Sequence, residues 1–185
     1  MSNVIIMGAD PGLANFGVAF LELVGGANRV KALYTLTTAK SDKKLKVLSS
    51  SDGFRRCREL AEQLADLVDL HGLPSVICAE AMSYPRASSA AAKMAMSWGV
   101  VAALSAHHCI PVVQCSPQQL KKALCGRANA TKEDVQRALC RRYVKADLFG
   151  KLAKSKREHA ADALGAIVAC RDSEAMVMAR RQAAA

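Results

Sequence analysis

The sequence carries seven cysteines, Cys57, Cys78, Cys109, Cys115, Cys125, Cys140 and Cys170, but no C-x-x-C pair. An odd number at these spacings excludes both a complete disulfide frame and a paired-cysteine zinc site. Several sit inside apolar runs such as Val76-Ile77-Cys78-Ala79, where small core residues of a reducing compartment are found. The chain also lacks any apolar run of the roughly 18 residues that a membrane-spanning helix needs. Its first residues show no charged leader followed by an apolar stretch and a cleavage site, so a cytoplasmic location is expected. Acidic residues are scarce: 16 Asp and Glu stand against 26 Lys and Arg, a net charge of +10. That excess favours a polyanionic partner, because each phosphate neutralised by a cation releases condensed counterions. Basic charge alone equally describes a merely soluble basic protein.

There is no internal repeat and no break in composition of the kind that marks a linker between domains. The chain of 185 residues, 51% apolar, suits one domain with a sizeable core. Residues 3–9 read as a short buried strand ended by Asp10-Pro11-Gly12, whose proline and glycine are the signature of a type II turn. Residues 15–24 and 29–38 read as two further strands joined at Gly25-Gly26-Ala27-Asn28, a hairpin signal. A polar, lysine-rich loop over 39–50 precedes a helix from Asp52 to His71, with Leu60, Leu64, Leu67 and Val68 at helical spacing. Residues 75–79 form a short, wholly apolar strand, the pattern of a central strand. Residues 88–108 are helical, and 110–114 form a fifth strand. Ser116-Pro117-Gln118-Gln119 and Thr131-Lys132-Glu133-Asp134 are helix starts with capping residues. A basic linker over 144–156 leads to a last helix from Arg157 to Arg171. Residues 1–172 thus make one domain, and 173–185 a helical extension or a frayed tail. This order implies a mixed α/β sheet with helices on both faces.

Three acidic residues stand out by position: Asp10 closes the first strand, Glu80 the fourth, and Asp162 lies on the last helix. His159 precedes Asp162 by three residues and so shares its helix face. If that helix crosses the sheet, all four converge. Hard divalent ions take such oxygen ligands, and Mg²⁺ keeps several waters and phosphate oxygens besides one or two carboxylates. Two ions about 4 Å apart can activate a water and stabilise the leaving oxygen of a phosphodiester. Singly, each residue has a plainer reading: Asp-Pro-Gly is a common turn, Glu80 suits a solvated strand end, and His159 suits a packing role. Asp162 is the least ordinary, since an acid among Ala160, Ala161, Ala163 and Leu164 needs a partner. Lys121 and Lys132 lie in the first turns of the two capped helices, where backbone N–H groups favour phosphate. Lys122, Arg141, Arg142 and Lys145 add basic charge, a pattern that plain solvated surface shows equally. Tyr84 and Arg86 follow Glu80 on a loop, where Tyr84 either stacks on an unpaired base or covers the edge of the core.

The segments Gly8-Ala9-Asp10-Pro11-Gly12, Ala79-Glu80, Ser116-Pro117-Gln118-Gln119-Leu120-Lys121-Lys122 and His159-Ala160-Ala161-Asp162-Ala163 resemble, in order and spacing, the RuvC family of Holliday-junction resolvases. The resemblance runs from about residue 3 to residue 170, and between Glu80 and Val101 it is nearer to versions carried by bacteriophages. It implies a ribonuclease H-like fold with sheet order 3-2-1-4-5. It implies a homodimer that resolves four-way DNA junctions by paired nicks in strands of like polarity, leaving 5′-phosphate and 3′-hydroxyl ends. It carries the metal ligands onto Asp10, Glu80, His159 and Asp162, with two Mg²⁺ per site and Mn²⁺ as a substitute. His159 is then either a further ligand or a water-orienting base. Lys121 and Lys132 become the lysines at the scissile phosphate, with Tyr84, Arg86, Lys122, Arg141 and Arg142 as further DNA contacts. A branch-migration motor is a further candidate partner. One departure is visible: many members have a wedge phenylalanine three residues after the glutamate, and here Ser83 stands there with Tyr84 next. Either Tyr84 wedges from a shifted loop or junction opening works differently, which bears on selectivity more than on catalysis. The alternatives are a broader nuclease of the same fold, cutting flaps, three-way branches or RNA–DNA hybrids, and a non-catalytic junction-binding protein, against which the full acidic set argues. An actin-like nucleotide fold would need a second, similar half for which the chain is too short.

Overall fold

The first three strands pair as an antiparallel meander and the last two add in parallel, so a single mixed sheet forms in the order β3-β2-β1-β4-β5. The computed structural model describes residues 3–25, 27–82 and 87–184. The strands are β1 (Val4–Asp10), β2 (Asn15–Val24), β3 (Ala27–Thr37), β4 (Val76–Glu80) and β5 (Val112–Cys115). The helices are α1 (Ser49–His71), α2 (Ser88–His108), α3 (Pro117–Cys125), α4 (Lys132–Arg142), α5 (Arg157–Ala169) and α6 (Glu174–Ala184). No helix among the described residues is long and apolar enough to cross a membrane.

Side chains alternate across the central strands and so feed two cores. Val4 and Ile6 of β1 and Val76 and Cys78 of β4 pack under α3, α4, α5 and α6. Ile5, Met7, Ile77 and Ala79 point the other way, toward Leu60 and Leu64 of α1 and Val100 and Val101 of α2. The sheet therefore has helices on both faces, as its order of elements implied.

Local signals explain the helix ends. Ser116 caps α3 and Thr131 caps α4, each in a reciprocal capping box completed by Gln119 and Asp134. Gly72 ends α1, and its positive φ of 99° is a conformation glycine accepts without strain. Helix α1 begins at Ser49, three residues before the expected Asp52.

Three expectations need correction. Gly12 is not in the left-handed region, so Asp10-Pro11-Gly12 is not a type II turn; glycine is needed there because a Cβ would overlap the Asn15 carbonyl. The hairpin is tighter than expected: Val24 pairs with Ala27 and Leu23 with Asn28, so Ala27 and Asn28 belong to the strand and not to the turn. The 144–156 stretch is not a free linker, since Leu148 and Phe149 are buried in the core beneath α5. Of the two expectations for the C-terminal segment, the helical extension is the one found: α6 docks Met176, Ala179 and Ala183 into the same core. The hydrophobic effect accounts for both, as each segment carries a few apolar side chains that cover sheet surface otherwise open to water.

Helix α5 lies across β1 and β2 at unusually close range, and two strand glycines allow it. A Cβ at Gly8 would overlap the Ala163 carbonyl, and one at Gly17 would overlap the His159 carbonyl. Strand-interior glycine often marks such a close approach of another backbone.

Candidate metal centre

The pairing of Ala9 with Ala79 in the parallel β1–β4 ladder sets Asp10 and Glu80 side by side where the two strands end. Neighbouring strands lie about 4.8 Å apart, so two carboxylates at matched positions are forced close. Pairing of Asp10 with Gly17 brings the start of α5 over the same edge. His159 then reaches Asp10 directly, with Nδ1 2.8 Å from Oδ2. Asp162, one turn further along α5, faces the same carboxylates.

The electrostatics follow from this crowding. Burial pushes the Glu80 carboxyl up to about 8, and Asp10 and Asp162 add to the rise while Lys121 opposes it. Burial likewise pushes Asp162 up to about 7, with Asp10 adding to the shift and His159 and Lys132 opposing it. The hydrogen bond to Asp10 holds the His159 imidazole above its ordinary value, against the effect of its own burial. Like charges and desolvation both disfavour ionised carboxylates, and a bound cation removes both penalties. The donor set, three carboxylates and an imidazole, suits a hard divalent ion. Among the described residues no three His, Cys, Asp or Glu groups close tightly enough to cage one ion by themselves.

Both predicted lysines join the cluster. Lys121, on the first turns of α3, is near enough to act on Glu80. Lys132, the first residue of α4, acts on Asp162 and Asp10 and forms an ion pair with Glu158. Lys122 is exposed beside Lys121. Arg141 and Arg142 are not brought to the site: they end α4, roughly 14 Å from Lys132 at 1.5 Å per residue. Arg141 lines a hollow with Arg127 and Arg137, and Arg142 a crevice with Arg171 and Arg180. Tyr84 and Arg86, with Ser83 and the wedge question, lie outside the described residues.

Two residues absent from the sequence reading matter to the site. Arg56 of α1 is buried and donates to Thr38 Oγ1 at 2.8 Å and to the Leu13 carbonyl at 3.1 Å, pinning the loop that follows Asp10. Thr38 Oγ1 donates to the same carbonyl at 2.5 Å. Glu158 lies between the Lys132 ammonium and the His159 ring, with Oε1 3.5 Å from Nε2. Nothing local signals either residue: the acceptors of Arg56 lie 18 and 43 residues away in sequence, and the lysine of Glu158 lies 26 away.

A sheet in this order, clothed in helices on both faces and carrying acids at the ends of its central strands, defines the ribonuclease H-like class. The family model described as Crossover junction endodeoxyribonuclease RuvC matches residues 6–171, and the chain belongs to that family. The RuvC of Moorella thermoacetica is 29% identical over 170 residues, covering 92% of each chain. That of Pseudothermotoga lettingae is 30% identical over 136 residues, 74% of this chain and 78% of its own length. Among solved structures, T. thermophilus RuvC in complex with Holliday junction substrate superposes with a TM-score of 0.70 at 18% identity, covering 90% of this chain and 92% of that one. The fowlpox virus Holliday junction resolvase gives 0.60 at 16% identity, covering 92% and 99%.

Proposed function

We propose that this protein resolves four-way DNA junctions as a homodimer, by paired nicks in strands of like polarity that leave 5′-phosphate and 3′-hydroxyl ends. The observation that carries the reading is the convergence of Asp10, Glu80 and Asp162 on one sheet edge, where burial and the neighbouring carboxylates raise the Glu80 and Asp162 carboxyls. A DNA-binding protein without catalysis has no use for crowded acids facing a polyanion. Family membership supplies the reaction class, a metal-dependent endodeoxyribonuclease.

Asp10, Glu80, Asp162 and His159 would hold two Mg²⁺, or Mn²⁺ in their place. When bound, such ions supply an activated water and stabilise charge on the leaving oxygen. The chain's own groups do the rest. The hydrogen bond between His159 Nδ1 and Asp10 fixes the ring and leaves Nε2 on the side of Glu158. Lys121 and Lys132 flank the carboxylates, where they bind the scissile phosphate and offset charge that develops on it. The remaining basic surface holds the arms through their backbones, which reads shape more than sequence.

A dimer follows from the chemistry, since one site makes one nick and symmetric resolution needs two sites about a two-fold axis. Val101 is committed to the monomer core, and Met96 and Trp98 pack against it. The outward face of α2 presents Ala92, Ala95, Gly99, Ala102 and Ala106 instead, small enough for close helix–helix approach. The protein would act in the cytoplasm, with a branch-migration motor as a further partner.

The test is a nicking assay on a synthetic four-way junction with Mg²⁺, comparing the wild type with Asp162→Asn. Paired symmetric nicks that vanish in the variant while junction binding persists support a resolvase using this site. Nicks spread over linear duplex, flaps and hybrids would replace it with the broader nuclease of the same fold, the reading that the missing wedge phenylalanine leaves open. Binding without cleavage in Mg²⁺ or Mn²⁺ would leave a junction-binding protein.

A further inference from the structure

Glu158 is an acid placed where a DNA-binding surface should have none. Its carboxylate pairs with the Lys132 ammonium across 26 residues of sequence, from the first turn of α5 to the first residue of α4. Neither helix needs this contact for its own start: α4 is capped by Thr131 and Asp134, and α5 follows directly from the Lys154–Lys156 turn. The pair is shallow, with 60% of the lysine side chain and 33% of the glutamate side chain exposed. Lys132 also feels Asp10 and Asp162, so without Glu158 it has carboxylates deeper in the site to turn toward.

We infer that Glu158 is a positioning residue that holds Lys132 at the mouth of the site and competes there with phosphate for its ammonium. The inference rests on the reading of Lys132 as a phosphate-binding lysine. Until DNA arrives, the carboxylate keeps Lys132 extended across the opening and away from Asp10 and Asp162. When a backbone phosphate enters, it takes the place of Glu158 as partner, and the freed carboxylate must be compensated. Exposed ion pairs are weak, so the exchange is easily made by a well-placed phosphate. A loosely bound duplex gains less from it, because part of each lysine–phosphate contact is spent displacing the glutamate. The device thus lowers indiscriminate affinity in a chain of net charge +10, while leaving the junction, which is held by many contacts, able to engage.

The experiment compares wild type, Glu158→Gln, Lys132→Ala and the double variant for binding to linear duplex and to a four-way junction across a salt series without divalent ions, with junction nicking in Mg²⁺ measured alongside. For Glu158→Gln the expected result is duplex affinity raised about two- to five-fold, the scale of one exposed ion pair. The log–log salt slope should steepen by roughly 0.9, one further phosphate contact. Both effects should vanish in the Lys132→Ala background. An equal gain in that background would make Glu158 a general repulsive charge and overturn the inference, as would no gain in either. Loss of Mg²⁺-dependent nicking with binding unchanged would overturn it in favour of a metal-ligating glutamate. If Lys132→Ala alone leaves both binding and nicking intact, the reading of Lys132 itself has failed, which is a separate outcome.

Discussion

Arg56 shows how a single residue outside the site can govern it. Its guanidinium is buried and reaches three acceptors, the Leu13 carbonyl on the loop after Asp10 and the Oγ1 and carbonyl of Thr38 just past β3. Replacing it with leucine keeps most of the volume but takes the donor from Thr38 Oγ1 and leaves the Leu13 carbonyl to Thr38 alone, and a buried group left unsatisfied costs roughly 1–3 kcal/mol. Arg56→Leu should therefore lower stability by about that amount in urea denaturation. Nicking should fall further than the folded fraction does, because the loop after Asp10 loosens. Unchanged nicking at full occupancy of the folded state would show that the loop holds itself. Asp10, Glu80, His159 and Asp162 were legible in the sequence because strand ends and an i, i+3 helical spacing are local patterns. Arg56 and Glu158 were not, since their partners lie 43 and 26 residues away and only the folded chain makes them neighbours.

At the scale of elements, the helix that carries half of the site is placed by what the strands beneath it lack. Gly8 and Gly17 let α5 settle onto β1 and β2, and this puts His159 over Asp10. Gly17→Ala forces a methyl group against the His159 carbonyl, a backbone atom that cannot rotate aside. Overpacking of this kind typically costs about 1–3 kcal/mol. The variant should fold and still bind junctions through its basic surface, but lose at least tenfold in nicking as His159 and Asp162 lift away from Asp10; wild-type nicking would mean that α5 has slack. The order of elements and the two capping boxes were readable because caps and short apolar strands are written in a few adjacent residues. The glycine turn after Asp10 was misread because the pattern Asp-Pro-Gly does not reveal that the Asn15 carbonyl, rather than φ, makes glycine necessary there. The docking of α6 was hidden for the opposite reason: its buried side, Met176, Ala179 and Ala183, is too sparse and small to stand out from an alanine-rich tail.

Taken as a whole, the molecule stores unfavourable charge at one edge, and this should be visible in its global stability. Glu80 and Asp162 release their protons near 8 and 7 in the fold, against 4.5 and 3.8 for ordinary side chains, and His159 lies above 6.5. Each therefore binds its proton more tightly folded than unfolded. Each contributes stability that is complete below the unfolded value and is lost as pH rises through the folded value. Asp52 and Asp134 are lowered instead, chiefly by hydrogen bonds from Ser41 and Thr131, so their contribution is present above the ordinary value of 3.8 and disappears in acid. Between those limits, the metal-free protein should be most stable in mildly acidic solution and lose stability steadily up to about pH 8. Divalent ions bind the deprotonated carboxylates, so their effect must grow over the same range; a ligand at a hundred times its Kd adds about 2.7 kcal/mol. Thermal melts from pH 5 to pH 8, in EDTA and in saturating Mg²⁺, test this directly. Tm should fall with pH in EDTA, be restored by Mg²⁺ at pH 8, and respond little to Mg²⁺ at pH 5. Asp162→Asn should flatten the EDTA curve, since it removes one of the crowded charges and relieves Glu80. A metal-free protein equally stable at pH 5 and pH 8 would mean that burial and mutual repulsion do not hold the protons of these acids, and the case for a metal centre at this edge would lose its electrostatic basis.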